Sequence, residues 1–273
     1  LKLTEISDLT AEDIQSIFCE VGAVSAPARV IAPVAWSFEG RGVRTRATFI
    51  QAFRELDLAF TELPDLLKTE ERVEDLAGYL DPLFSLYVVR ESNHERLVSF
   101  ARASARPVIN AMSSQEHPCE VLTDAFYIDR FIRPLAQARI GLWGPTETNV
   151  FRSWHQLGRL LGLTIIHIDS SPRPDAVPGM LLTKPRDLPG EVDVLITDVS
   201  GGSSTAPVQA LSELHLEQMG RPALLPTPPF SIGRELGFDP VRYEGFVGYA
   251  QKRYLVPVQS AVIRFMLDRS PEH

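Results

Sequence analysis

Apolar positions recur along this chain at two alternating periods, and that alternation predicts the architecture. Near the start, Ile14, Ile17, Phe18 and Val21 share one helical face, with Asp8 or Thr10 placed to cap it and Glu12 and Asp13 at its positive end. The run ARVIAPVAWSF predicts a buried strand. A helix carrying Phe49, Ala52, Phe53 and Leu56 on one face follows, then a short strand near LAFTEL and a helix from about Glu70 to Leu80. LFSLYVVR reads as a strand, ESNHERLVSFARAS as a helix capped by Ser92, and RPVINAM as a strand. A long helix from Pro118 to Arg133 ends at Pro134.

The pattern then restarts. ARIGLWG, LTIIHID, VDVLITD and PALLP read as strands, and NVFRSWHQLGRLLG and a segment around Val208 to Met219 as helices. A proline-rich connection runs from Pro172 to Pro189, and VPVQSAVIRFML closes the chain as an apolar helix. Strands alternating with helices predict an α/β fold of two doubly wound parallel-sheet domains, over 1–132 and 133–254, with 255–273 forming a C-terminal helix. Ligands in such folds sit at the carboxyl ends of the strands.

Composition narrows the function. A chain of 273 residues with 44% hydrophobic content can bury two modest cores, and a formal charge of −8 argues against nucleic acid and anionic membranes as partners. Any anion site must therefore be local. Two distant cysteines, Cys19 and Cys119, suit a reducing compartment, with the cytoplasm as the default, and no apolar run reaches the roughly 20 residues of a membrane span. The sequence shows no metal-ligand spacing and no dinucleotide or Walker fingerprint, so neither a metal nor a cofactor is expected. His155 and His167 fall in apolar patterns and read as structural, whereas His94, His215 and His273 read as surface groups.

Three strand ends carry chemistry. Gly40 to Arg46, with Arg41, Arg44 and Arg46, opens a helix whose free amides and positive dipole favour an anion, or else forms a solvated turn with its arginines outward. His117 and Pro118 follow a buried strand, where the imidazole can donate to a ligand carbonyl or serve as a polar cap. In LLPTPPFSIGREL the prolines leave backbone acceptors without donors, suited to a ligand N–H or to a rigid linker.

In order and spacing, these segments resemble the aspartate and ornithine carbamoyltransferase family. Phe38-Glu39 followed by Arg44-Thr45-Arg46 is similar to the family's Phe-Glu and Ser-x-Arg-Thr-Arg, and PVINAMSSQEHPCEVLTDAFYI to the segment bearing His-Pro-x-Gln. The resemblance runs from LTEISDLTAEDI to the closing helix, which it implies packs back on the first domain. It implies transfer of the carbamoyl group of carbamoyl phosphate to an amine, in a homotrimer with shared sites. Thr45, Arg90 and His117 would be catalytic, contacting the carbamoyl oxygen. Gly42, Val43 and Arg44 would hold the phosphate, Glu120, Thr227 and Pro228 the carbamoyl amide, and Lys68 the phosphate of a neighbouring subunit.

The departures are as specific as the matches. Ser-x is Gly42-Val43, the glutamine of His-Pro-x-Gln is Glu120, and the loop rich in Ser, Lys and Gly is ELPDLLKTEERVED, where Lys68 is the only lysine. The segment His-Cys-Leu-Pro is Pro226-Thr227-Pro228-Pro229. For the acceptor, Asn149 and Asp198 match ornithine-branch positions that take an α-carboxylate and an α-amino group, with Ser203 in the GGSSTAP loop beside them; as ordinary residues they would be an N-cap and a strand-end turn. An ornithine-like diamino acid in specialised metabolism is the expected acceptor. The alternative is a noncatalytic or altered-specificity relative with a vestigial anion pocket.

Overall fold

The computed structural model describes residues 1–23, 32–40, 42–170, 181–199 and 209–269. The chain divides into two compact units, Leu1–Thr123 with Tyr254–His273, and Asp124–Arg253.

The first unit is built on strands β1 (Lys2–Leu3), β2 (Val34–Phe38), β3 (Phe60–Glu62), β4 (Leu86–Arg90) and β5 (Val108–Met112). They form one parallel sheet in the order β1-β5-β4-β2-β3. Helices α1 (Ala11–Glu20), α2 (Val43–Glu55), α3 (Val73–Leu80), α4 (His94–Ala103) and α5 (Pro118–Tyr127) alternate with them. Both sheet faces are covered, so every residue of β2 is buried, as parallel sheets require. On one face Trp36 stacks on Phe49 and Phe53 of α2. On the other, Ala35, Tyr87 and Val89 pack with Leu76, Leu97 and Phe100 of α3 and α4.

Strand β3 lies on one side of β2 and β4 on the other, so the direction of winding reverses between β2 and β4. Crevices at such reversals are where doubly wound sheets take ligands. Phe38 and Arg90, the last residues of the two strands, are paired in register. Helix α9 (Leu255–Asp268) returns to pack on α1 and α2, burying Val258, Ala261, Val262 and Met266.

The second unit repeats the plan. Strands β6 (Arg139–Trp143), β7 (Thr164–Ile168), β8 (Leu181–Thr183), β9 (Val194–Thr197) and β10 (Ala223–Pro226) form a parallel sheet in the order β10-β9-β6-β7-β8. Its helices are α6 (Asn149–Leu161), α7 (Glu213–Gln218) and α8 (Gly248–Lys252). The reversal falls between β6 and β9, where Trp143 pairs with Thr197.

Several local expectations change. Thr10, not Asp8, caps α1, in a reciprocal box with Asp13. The cap of α4 is Asn93, whose side chain accepts from the Arg96 amide at 3.0 Å, and Ser92 is engaged elsewhere. Helix α3 begins at Val73 rather than near Glu70, and α7 at Glu213 behind a Ser212 cap. Helix α5 gives way at Ile128 to a wider π-type turn over Ile128–Ile132, closed by the Arg133 amide donating to the Ile128 carbonyl at 2.9 Å. The edge strand β8 falls inside the proline-rich connection, and β1 is a two-residue edge strand too short to show periodicity.

Candidate active site

Gly42 is the N-cap of α2 and supplies no side-chain cap, which leaves the first-turn amides open toward the β2–β4 strand ends. A Cβ on Gly42 would lie 2.3 Å from Arg90 Nη1 and 2.9 Å from Phe38 Cζ, so a side chain there would require the Arg90 guanidinium to shift. Arg90 Nη1 donates to Thr45 Oγ1 at 3.4 Å, and the guanidinium carbon stands 5.0 Å from the centre of the Phe38 ring. Burial lowers the Arg90 pKa; the charge of Glu39 opposes this and that of Arg44 adds to it. Two guanidinium groups therefore lie within electrostatic reach of each other at an open helix N-terminus. Arg44 and Val43 are exposed on the first turn.

Arg46 plays a different part. It forms an ion pair with Glu62 of β3 and leans over the Phe38 ring, bracing the turn. Arg41 lies outside the described residues.

Lys68 lies in the same unit, and its ammonium is engaged within its own chain by Glu91 Oε1 at 2.6 Å, Glu39 Oε1 at 3.0 Å and Ser92 Oγ at 3.3 Å. His117 precedes Pro118 at the start of α5, after the β5 strand end that lies beside Arg90, and both it and Glu120 are buried. Burial, followed by the charge of Glu120, pushes the neighbouring Cys119 thiol up to about 12, so this cysteine stays protonated. His94, expected at the surface, is buried with Nδ1 2.9 Å from Ser113 Oγ. Its place at the start of α4 sets it against Ser113, the residue just past the end of β5.

In the second unit, Gly144 follows β6 with φ +140°, and a Cβ there would lie 2.2 Å from the Asp198 carbonyl oxygen. The two strand ends therefore approach closely enough for the Asp198 amide to donate to the Trp143 carbonyl at 3.3 Å. Asn149 is the first residue of α6, and the cap is Thr148, whose hydroxyl accepts from the Phe151 amide at 3.3 Å. The capping explanation of Asn149 is thereby removed. Asn149 and Asp198 are both buried: Asn149 opens the helix that follows β6, and Asp198 directly follows β9, the strand paired with β6 at the winding reversal. Ser203 lies outside the described residues.

Thr227 follows β10, and its amide donates to the Thr197 carbonyl at 2.8 Å. Its hydroxyl is buried without a hydrogen-bond partner among the described residues, and the Pro228–Pro229 peptide beyond it is cis.

Glu235 escaped sequence reasoning, and so did the hydrogen bond joining His155 and His167, which the sequence marks only as structural. Glu235 is fully buried, with Oε1 accepting from Thr197 Oγ1 at 2.6 Å and Oε2 from the Ser231 amide at 3.3 Å. Burial raises its pKa to about 7, against those two bonds and with help from the Asp198 charge. Its sequence context, GRELGF, gives no sign of this. His167 Nε2 lies 2.8 Å from the Gly144 carbonyl, which can only accept, so Nδ1 is left to accept from His155 Nε2 at 3.0 Å. Burial lowers the pKa of His155 to about 2 and of His167 to about 4, so both rings are neutral near pH 7. His215, half-buried, closes the Ser212 capping box and stacks on Trp143.

Among the described residues no group of three or more His, Cys, Asp or Glu side chains could hold a metal, and no helix is long and apolar enough to cross a membrane.

Two wound parallel sheets, the first with Arg44 and Arg90 at an open helix N-terminus and the second with buried Asn149 and Asp198 near its winding reversal, define an α/β protein of two units. Residues 2–130 match the family model described as aspartate/ornithine carbamoyltransferase, carbamoyl-P binding domain. Over these residues the chain is similar to the aspartate/ornithine carbamoyltransferase family. It is 27% identical to an ornithine carbamoyltransferase of Methanopyrus kandleri, over 97% of this chain and 96% of that protein. A second relative, from Halorhodospira halophila, is 32% identical over 51% of this chain and 47% of its own length. In fold the chain is similar to ornithine carbamoyltransferase from Pyrococcus furiosus, with TM-score 0.87 and 20% identity over 98% of this chain and 97% of that one. The catalytic subunit of M. jannaschii aspartate transcarbamoylase is also similar, with TM-score 0.74 and 19% identity over 98% of each chain.

Proposed function

We propose that this protein transfers the carbamoyl group of carbamoyl phosphate to the amine of an amino acid. The observation that carries the reading is the convergence of Arg44, Arg90 and Thr45 on the open N-terminus of α2 at the winding reversal of the first sheet. The α2 amides with Gly42, Val43 and Arg44 bind the phosphate, and Thr45, Arg90 and His117 donate to the carbamoyl oxygen. Attack by a neutral amine forms the N–C bond, and negative charge grows on that oxygen. The C–O bond to phosphate then breaks, the phosphate leaves with the electron pair, and the amine proton is lost to it or to water. Donors fixed before the reaction stabilise both charges without reorganising.

The buried carboxylate Glu120 accepts from the carbamoyl NH2, as do the carbonyls of Thr227 and Pro228. Asn149 takes the acceptor's α-carboxylate and Asp198 its α-amino group, supporting an ornithine-like diamino acid within specialised metabolism; Ser203 is assigned to the acceptor on the resemblance alone. The working form is a cytoplasmic homotrimer. Incubation with carbamoyl phosphate and a panel of diamino acids should yield a ureido product by mass spectrometry, and folded protein giving no product with any amine would overturn the reading. A second reading, a noncatalytic relative that keeps the anion pocket, is favoured by the engagement of Lys68 with its own chain's carboxylates. Tight binding of a phosphonate bisubstrate analogue would exclude it.

A further inference from the structure

The ends of β2 and β4 carry, besides Arg90, a four-residue charge cluster that the reaction above does not use. Glu39 follows Phe38 directly, and Glu91 and Ser92 follow Arg90. Glu39 Oε2 accepts from the Ser92 amide at 2.5 Å and Oε1 from the Ser92 hydroxyl at 3.0 Å, which ties the two strand ends together. Glu91, only 2% exposed, accepts at Oε1 from Lys68 at 2.6 Å and from the Asn93 amide at 2.8 Å. An ammonium has three protons, and Lys68 has three acceptors in reach: Glu91, Glu39 and Ser92. While this arrangement holds, none is left for a phosphate on another subunit.

We infer that Lys68 is a positioning residue for the anion site of its own chain: it neutralises Glu39 and Glu91 and so reserves Arg90 for the phosphate. The inference rests on the carbamoyl-phosphate reading and concerns how its site is kept cationic. Among the described residues, the charges at the β2–β4 ends are Arg44, Arg90 and Lys68 against Glu39 and Glu91, since Arg46 is spent on Glu62. Without Lys68 the two carboxylates equal the two guanidiniums. Glu39 already acts on the Arg90 charge, so an uncompensated Glu39 would compete with an incoming dianion for that guanidinium and repel it. Burial pushes the Glu39 carboxyl up, but the Ser92 amide and Lys68 outweigh it and hold the group ionised. Lys68 in turn is held protonated chiefly by its bond to Glu91.

A direct phosphate ligand and a charge-balancing residue differ in how they are rescued. Calorimetric titration of the full chain with phosphonoacetamide, a stable analogue of carbamoyl phosphate, would compare wild type, Lys68→Met, Lys68→Arg and the double variant Lys68→Met/Glu39→Gln. Lys68→Met should bind about tenfold or more weakly, as expected for a lost close charge in a partly buried setting. Lys68→Arg should stay near wild type, and the double variant should recover to within about threefold because the surplus negative charge is gone. A double variant as weak as Lys68→Met, or a Lys68→Met protein that binds like wild type, would overturn the inference alone. A wild type that binds no phosphonoacetamide would overturn the underlying reading with it. Should Lys68→Met fail to fold because Glu91 loses its partner, the same comparison runs in a Lys68→Met/Glu91→Gln background, with and without Glu39→Gln.

Discussion

Gly42 and Arg90 compete for one volume: a Cβ on residue 42 would stand 2.3 Å from the Arg90 Nη1 atom. Serine at this position is the family pattern, and its absence reads at first as a lost phosphate donor. The geometry gives it another meaning, because the space a side chain would fill is taken by the guanidinium that meets Thr45. Gly42→Ser should therefore weaken phosphonoacetamide binding, by about tenfold, through displacement of a charge-assisted donor worth roughly 1.5–3 kcal/mol. Calorimetry checks it, and tighter binding by the serine variant would show that Arg90 moves aside at no cost.

Arg44 stands exposed on the first turn of α2, where the dipole and open amides already favour an anion. Its fork adds to that field and does not create it. Arg44→Ala should reduce phosphonoacetamide affinity by about tenfold to a hundredfold and leave the melting temperature unchanged, since an exposed arginine at a helix N-terminus contributes little to folding. Affinity equal to wild type would remove Arg44 from the site.

The alternation of strands and helices was readable because both sheets are covered on both faces, which makes VAWSF, LYVVR and TIIHI continuous apolar runs between amphipathic helices. Periodicity fails where a strand is too short to have one, as in β1, or lies at an edge among prolines, as in β8. Caps slipped by one residue for a different reason: Ser92 and Asn93 are both competent caps, and the tertiary contact to Glu39 decides between them. Arg44, Arg90 and His117 stand out by their resemblance to the family's motifs, and the structure sets Arg44 and Arg90 within electrostatic reach of each other. Glu235 and the Lys68 cluster do not stand out, because partners such as Thr197 for Glu235, or Glu39 for Lys68, are more than 20 residues away in sequence and brought near only by sheet order.

Asp198 offers a test of the acceptor assignment independent of the phosphate. It is fully buried at the end of β9, beside the Trp143 carbonyl that fixes its backbone. Asp198→Asn keeps the shape and removes the charge that a cationic α-amino group would meet. The expected outcome is a rise of the amine KM by about tenfold or more, with the carbamoyl-phosphate KM unchanged, because only one substrate loses a charge-assisted bond. Equal effects on both KM values would point to a structural role.

Acid should separate the buried histidines of the second unit from Glu235, because their contributions to stability have opposite signs. His167 is lowered to about 4 and His155 to about 2, below the unfolded value of 6.5, so their stabilisation is complete above pH 6.5 and is lost as pH falls toward the folded values. Glu235 is raised to about 7 from 4.5, so its stabilisation is complete below pH 4.5 and is lost as pH rises through 7. Between pH 4.5 and 6.5 the two slopes oppose each other. Over that window each titrating group contributes about 3 kcal/mol at about 1.36 kcal/mol per unit, so Glu235 offsets about one of the two histidines and the slopes partly cancel in the wild type. Glu235→Gln should expose the histidine slope, giving a protein that loses stability more steeply than wild type on acidification from pH 6.5 to 4.5. Replacing both histidines by glutamine, which can still donate to the Gly144 carbonyl, should leave the Glu235 slope, with stability rising over the same acidification. Urea midpoints at half-unit pH intervals would read both. Parallel curves for the two variants would mean that neither the histidine pair nor Glu235 changes its protonation on unfolding.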